Sequence, residues 1–483
     1  MEESLTRAGQ FVIETCTIHT SAGHSFDLMT GGNVVEITLS ESVTQPFING
    51  DLTFHNEASL SNIGPIIGQE TLELVLRTPS MKEGKDVINF TENNRLYITR
   101  VNSRKHIGKG AEVLSVHFIS SEWVRNTNTR ISRSFEGNIS SMVYTMLDVV
   151  GCQKLRQIEA SAELKKFIAP NMRPFDIIKL LTPQAISRGG GDISNTYMFF
   201  ENKHGYHFRS LNSMINGNSA YISKDQDILH YRKLDQIPHN KGGQEDVVQM
   251  LEHIIDYSTT HGDRMERNVL GHLSSKTISH NIYTKSYSTK IYDYIGDYDK
   301  HTHIYDDPEK KQAHPIYSAS KDLLGKRPGE HVSKTFLQPD TSNTDGKDTS
   351  ITNRTNDYVY DGFLSEAWLP DRTSQVGMLL NGLTVEMKVH GNTFTNAGDM
   401  VRISVPYQGV RDGNNPSETD KFISGRFLVK TINHVFTVAT FTHEMDLTCV
   451  KDSINYELDF IENGTPDGDQ QPRHREVYED FYL

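Results

Sequence analysis

A chain of 483 residues with a formal net charge of −13 and a pI near 5.9 has room for three or four domains. It is too acidic for a general nucleic-acid binder, whose phosphate contacts demand a basic surface. The three cysteines, Cys16, Cys152 and Cys449, lie far apart without metal-ligand spacing, which argues against a disulfide framework or a zinc knuckle and fits folding in a reducing cytosol.

The opening MEESLTRAGQ carries acids where a secretory signal carries bases. No stretch approaches the ~18 apolar residues of a membrane span, so no membrane insertion is expected. Residues 10–121 alternate in strand fashion, with breaks at Gly, Pro, Asn and Lys-Gly. About six strands with short turns predict a small barrel or sandwich. Leu114, Val116 and Phe118 share one predicted face and Ser115 and His117 the other.

From residue 122 to 246 the period changes and predicts a mixed α+β domain. Residues 134–150 read as a capped helix with Ile139, Met142, Val143, Met146 and Leu147 on one stripe. Residues 174–181 read as a second helix with proline at its start, and 197–211 as a hairpin turning at Gly205. Residues 247–257 fit a strand or a short helix. A polar, aromatic strand series (271–294) follows, then a stretch rich in Asp, Lys, His, Asn and Thr (296–373), which predicts a long polar surface insertion with little core. A short helix at 373–380 leads to further strands.

Those later strands repeat the earlier ones in order. GDLTFHN (50–56) matches GNTFTN (391–396), and GQETLELVL (68–76) matches GDMVRISVP (398–406). RLYITRVNS (95–103) matches RFLVKTINH (426–434), and EVLSVHFISS (112–121) matches HEMDLTCVKDS (443–453) with one residue of slack. One β-rich module is therefore read twice, at 1–121 and at 247–295 with 374–453. In the last strand Phe441, Met445, Leu447 and Cys449 fall on a predicted core face. Thr440, Thr442, Glu444, Asp446 and Thr448 fall on a face that meets water or a partner. Residues 454–483 are an acidic tail; nine acids follow Lys451, against three bases. Its tip offers Tyr478, Phe481, Tyr482 and Leu483 as a candidate docking peptide.

No phosphate loop, nucleophile elbow or HExxH helix is present. His301 and His303 near Asp306 and Asp307 lack the further spaced ligands a metal site needs. No catalytic, cofactor-binding or metal residue is assigned, and no enzyme activity or cofactor is expected.

The strand-rich first module and helical middle are followed by SHNIYTKSYSTKIYDY (279–294) and GNTFTNAGDMVRISVP (391–406). FISGRFLVKTINHVF (422–436) and THEMDLTCVKDS (442–453) complete the pattern. Together these resemble the hub proteins at the tip of bacteriophage tails, particularly the baseplate hub subunit of contractile-tailed, T-even-like phages. The resemblance implies a β-dominated α+β chain with two tail-tube-like β-barrel domains, interleaved with a mixed helical domain and a polar insertion. It further implies a homotrimer in the virion baseplate, assembled in the host bacterial cytoplasm. As an adapter, that trimer would join a sixfold tail tube protein to a threefold spike protein, contact baseplate wedge proteins and let DNA pass without specific binding. Thr440, Thr442, Glu444, Asp446 and Thr448 then become candidate channel lining. The competing expectations are a tail-associated cell-wall hydrolase and a host-receptor-binding tail module, the latter using the polar insertion.

Overall fold

The computed structural model describes residues 5–30, 32–56, 66–79, 87–108, 111–162, 165–187, 195–216, 228–234, 244–281, 285–305, 313–317, 325–340, 365–407 and 419–456. The first part of the chain forms β1 (Val12–His19), β2 (Ser25–Asp27), β3 (Val34–Ser42), β4 (Asn49–His55), β5 (Thr71–Arg77), β6 (Val87–Phe90), β7 (Leu96–Gly108) and β8 (Ala111–Ser120). These strands wrap one core, in which Ile37, Leu39, Leu52, Leu74, Val116 and Phe118 are at most 1% exposed. Fully burying a side chain of this size contributes roughly 1.5–3 kcal/mol, so the alternation of apolar residues fixes which face turns inward.

The middle part holds α1 (Ser121–Asn128), β9 (Ile131–Gly137), α2 (Ile139–Val149), β10 (Leu155–Ile158), β11 (Lys165–Met172), α3 (Pro174–Leu181), β12 (Tyr197–Asn202), β13 (Gly205–Ser210) and α4 (Leu211–Ile215). The predicted stripe of α2 is buried, and it packs in one cluster with Phe175, Ile178 and Leu181 of α3 and the aromatics of the β12–β13 hairpin. The helix starts later than expected, after Asn138, because Ser134 belongs to β9 and pairs with Ile168 of β11. Residues 247–257 divide between the two expected states, closing α5 (Gln244–Leu251) and opening β15 (Ile254–His261), while β14 (His230–Arg232) precedes both.

After α6 (Arg264–Leu270), β16 (Ser274–Asn281) and β17 (Ser286–Asp293) form a hairpin that β19 (Lys334–Asp340) extends in parallel, with β18 (His314–Pro315) between them in sequence. The described parts of 296–373 are thus woven into the protein: Tyr298, His303 and Ile304 are also buried. His303 is held in place there, its Nδ1 2.8 Å from Asp452 Oδ2 and its ring stacked on Tyr298. The helix expected at 373–380 is longer, α7 (Ser365–Leu380), and continues through Pro370.

The last strands are β20 (Leu383–His390), β21 (Met400–Ser404), β22 (Gly425–Thr437), β23 (Thr442–Lys451) and β24 (Ser453–Ile454). With β14 and β15 they wrap a second core around Val385, Met387, Ile403, Val429, Leu447 and Cys449. The strand order β15-β20-β23-β22-β21-β14 repeats β3-β4-β8-β7-β5-β1. All these pairs are antiparallel except β14–β21, which is parallel.

The repeat extends to irregularities. The β7–β8 ladder shifts between Ile98 and Arg100, and the β22–β23 ladder shifts between Val429 and Thr431, which are the same positions in the two matched segments. Ile98 N donates to Glu70 O and Val429 N to Asp399 O, both at 2.9 Å. Gly68 and Gly398 precede the equivalent strands with φ of +90° and +93°, a region that favours glycine. A bulge is a built feature of a sheet rather than noise, and its recurrence ties the two units together.

Two expectations are corrected. The GDLTFHN–GNTFTN match is displaced: β4 corresponds to β20, because Leu52 and Met387 face the equivalent residues Val116 and Leu447. Residues 391–396 form a turn instead, in which Asn392 Oδ1 accepts from Phe394 N and Thr395 N at 3.1 and 2.9 Å. Nor do two closed barrels form among the described residues, since both units belong to one 14-stranded sheet. The cause is the length of β22, whose 13 residues pair with β21 through Leu428 and then with β3 from Thr431 to Thr437.

Candidate functional site

Every second residue of the joined sheet points away from the two cores, and register aligns these residues into rows. One row runs Glu444–Val435–Thr38–Asp51–His117 and another Asp256–Lys388–Asp446–Asn433–Ser40. The rows cross from the second unit into the first without a break, because β22 hydrogen-bonds to β3.

Of the expected lining residues, Thr442, Glu444, Asp446 and Thr448 sit on this polar face, alternating with buried His443, Met445, Leu447 and Cys449. Thr440 lies in the β22–β23 turn, its Oγ1 2.6 Å from that of Thr442. Phe441, expected in the core, is 60% exposed in the same turn with φ +49°. The turn takes Phe441 out of the strand, so the alternation of β23 does not reach it.

The face is hydroxyl-rich and net acidic. From β15 to β8 its outward positions hold six carboxylates, Glu36, Asp51, Asp256, Glu386, Glu444 and Asp446, against two lysines, Lys388 and, in the β22 bulge, Lys430. Lys388 Nζ lies 2.7 Å from Glu444 Oε2, and this hydrogen bond raises the lysine pKa against the opposing effect of burial. Asp51 Oδ1 accepts from Asn102 Nδ2 at 2.7 Å and meets His117 Nδ1 at 2.9 Å. A broad surface with an excess of one charge sign repels a polyanion and leaves it unbound.

Buried polar groups lock the units behind this face. Glu41 Oε1 accepts from Lys203 N at 2.9 Å and Oε2 from Ala397 N at 3.4 Å, joining the first unit, the middle part and the second unit. Burial raises the Glu41 pKa to about 7, against the opposing charge of Lys203 and those two N–H groups. Nearby Asp399 is likewise raised by burial to about 6, although Asn396 donates to it. Lys154 lies 2.8 Å from Glu122 and 2.5 Å from Glu201, all three buried. Burial pushes the lysine pKa down, but the charges of Glu201 and Glu122 outweigh it and hold the group protonated. His434 and His443 meet at 3.0 Å in the core, where burial keeps both neutral, His434 with a pKa lowered to about 3.

Sequence alone missed the contribution of β3, β4, β15 and β20 to the face. The signal was present in the alternation of Glu36, Thr38 and Ser40 with buried Ile37 and Leu39. It missed the buried ion clusters, whose partners are far apart in the chain and carry no local pattern. His301 lies beside Gln375 and Tyr292, and His303 beside Asp452; Asp306 and Asp307 lie outside the described residues. Among the described residues no three His, Cys, Asp or Glu side chains gather as metal ligands, and no helix is long and apolar enough to cross a membrane. Tyr478, Phe481, Tyr482 and Leu483 lie outside the described residues, whereas the start of the acidic stretch is packed, with Asp452, Ser453 and Ile454 buried.

No family model and no curated protein matches this chain. Solved structures do. The tail protein from Neisseria meningitidis MC58 aligns over 92% of this chain and 97% of its own, with 9% identity and a TM-score of 0.49. The 43 kDa tail protein of prophage MuSo2 from Shewanella oneidensis aligns over 91% and 99%, with 8% identity and a TM-score of 0.48. The E. coli c3393 protein, a type VI secretion system component described as similar to T4 bacteriophage tail proteins gp27 and gp5, aligns over 92% and 76%, with 8% identity and a TM-score of 0.39.

Proposed function

We propose that this chain is the hub subunit of a bacteriophage tail baseplate, a structural adapter that assembles as a homotrimer around a passage for DNA. The observation that carries the proposal is an edge filled in one unit and open in its equivalent. In the second unit, Thr431–Thr437 of β22 pair with β3 of the first. In the first unit the corresponding part of β7, residues 100–106, forms a ladder with β8 but with no second strand among the described residues, and it is largely exposed, with Val101 at 39%. The counterpart of β3 is β15, whose edge away from β20 carries no ladder among the described residues.

A free strand edge is a template for pairing. β7 of one copy joined to β15 of the next reproduces between chains the joint that β22 and β3 make within one. Such a head-to-tail contact forms a ring if the rotation closes, and three copies place six similar units around it. One side of that ring then offers quasi-sixfold contacts to a tail tube protein, while the chain as a whole stays threefold for a spike protein. The acidic, hydroxyl-rich face lines the passage and lets DNA slide, and baseplate wedge proteins contact the outside. The role is structural and needs no catalytic group; turnover of purified cell wall by the folded chain would contradict it.

Prolines placed singly at Val101 and Asn102 sample both amide directions of the β7 edge. The one whose amide faces outward should leave a folded monomer with parental circular dichroism, since proline removes a ladder donor. Assembly of both variants like the parent contradicts the proposal.

A further inference from the structure

A cleft of about 530 Å³ opens between α7 and the bulge of β22, beside the joint of the two units. Its charged lining is cationic: Arg372 and Lys430 reach it beside the neutral polar groups Thr44, Thr373 and Asn381 and the ring of His272, and no carboxylate lines it. Leu369, Val376 and Leu380 supply apolar wall. Arg372 Nη1 donates to Asn195 O and Tyr197 O at 3.1 and 2.7 Å, and among the described residues no carboxylate pairs with its guanidinium. Lys430 Nζ donates to Leu380 O at 3.1 Å, which holds the ammonium at the rim.

The third group is His272, only 8% exposed, with Nδ1 buried and lacking a hydrogen-bond partner. A buried unpaired polar nitrogen costs free energy, and its ring rests on Gly377, where a Cβ would stand 2.4 Å from Nε2. Glycine in the last turns of α7 therefore makes room for the imidazole, although it weakens the helix. Glu386 acts on Lys430 from outside the lining, so within the cleft two cations and an unsatisfied histidine face no carboxylate, a setting that suits an anionic group.

We propose that this cleft receives a carboxylate side chain carried by an acidic polypeptide segment. The apolar wall suits the aliphatic stem of a glutamate, and the volume exceeds that of a simple ion. Nucleic-acid phosphate is the poorer occupant, because a chain of net charge −13 repels a long polyanion. Segments of the required kind occur in this chain itself, where 476–483 reads EVYEDFYL. The proposal is independent of trimer formation.

The test uses a fluorescein-labelled synthetic peptide of residues 476–483 titrated into the full chain and followed by fluorescence anisotropy. Saturable binding should weaken at least tenfold in Lys430→Gln and be lost when Glu476, Glu479 and Asp480 of the peptide become amides. Thermal unfolding confirms that the variant is folded, and Gly377→Ala, which displaces the His272 ring, gives a second reading of the same site. Equal binding by parent and Lys430→Gln overturns the proposal, as does equal binding of the amide peptide. Displacement of the peptide by an equal concentration of inorganic phosphate also overturns it, since that marks a general oxyanion site.

Discussion

Glu41 stands at the meeting of three parts of the chain, and its ionisation should be visible in stability. Its pKa is raised to about 7 in the fold, chiefly by burial, whereas an unfolded glutamate titrates near 4.3. Between these values the folded protein holds a proton that the unfolded chain has released. Stability therefore falls as pH rises from about 4.3 to about 7 and levels off above. The full effect is on the order of 4 kcal/mol. Glu41→Gln keeps the shape and removes the titration, so the difference between parent and variant unfolding free energies, measured by urea denaturation, should slope through that window. A difference independent of pH would show that Glu41 is not the group responsible. None of this was legible in the sequence, because Lys203 and Ala397 reach Glu41 across 162 and 356 residues. Local spacing records helices and strands, not such distant encounters.

At the scale of the element, the phase of β23 was legible because apolar and polar residues alternate through it. Leu447 is 1% exposed while its neighbour Thr448 lies on the polar face. Leu447→Asp should lose several kcal/mol, since it exchanges apolar burial for an unpaired buried carboxylate, whereas Thr448→Asp should change stability by less than about 1 kcal/mol. Chemical denaturation of the two variants measures this, and equal losses would mean that the strand faces are assigned the wrong way round. The alternation failed at Phe441, where the turn interrupts the strand. It also failed at 391–396, where Gly, Asn and Thr imitate GDLTFHN yet Asn392 folds the backbone into a turn. Helix α2 was legible from its stripe but not its start, since Ser134 answers to a strand partner in β11. Likewise β19 was hidden: its partner β16 lies nearly sixty residues earlier, and the polar residues around it gave no sign of a sheet.

For the whole molecule, duplication was readable from the matched segments and the shared glycines, while the fusion of both units into one sheet was not. Fusion depends on the second half of β22 finding β3 almost four hundred residues away. Under the proposed assembly the repeat has a consequence, because the equivalent edges of β7 and β15 would make between copies the joint that β22 and β3 make within one chain. A head-to-tail contact between identical chains propagates until it closes, and closure sets the number of copies. The mass of the native assembly, measured by light scattering during size-exclusion chromatography, tests this most directly. A particle of three times the 54.7 kDa chain mass is the predicted result, and a chain that stays monomeric at all concentrations, or closes as a dimer, would contradict it.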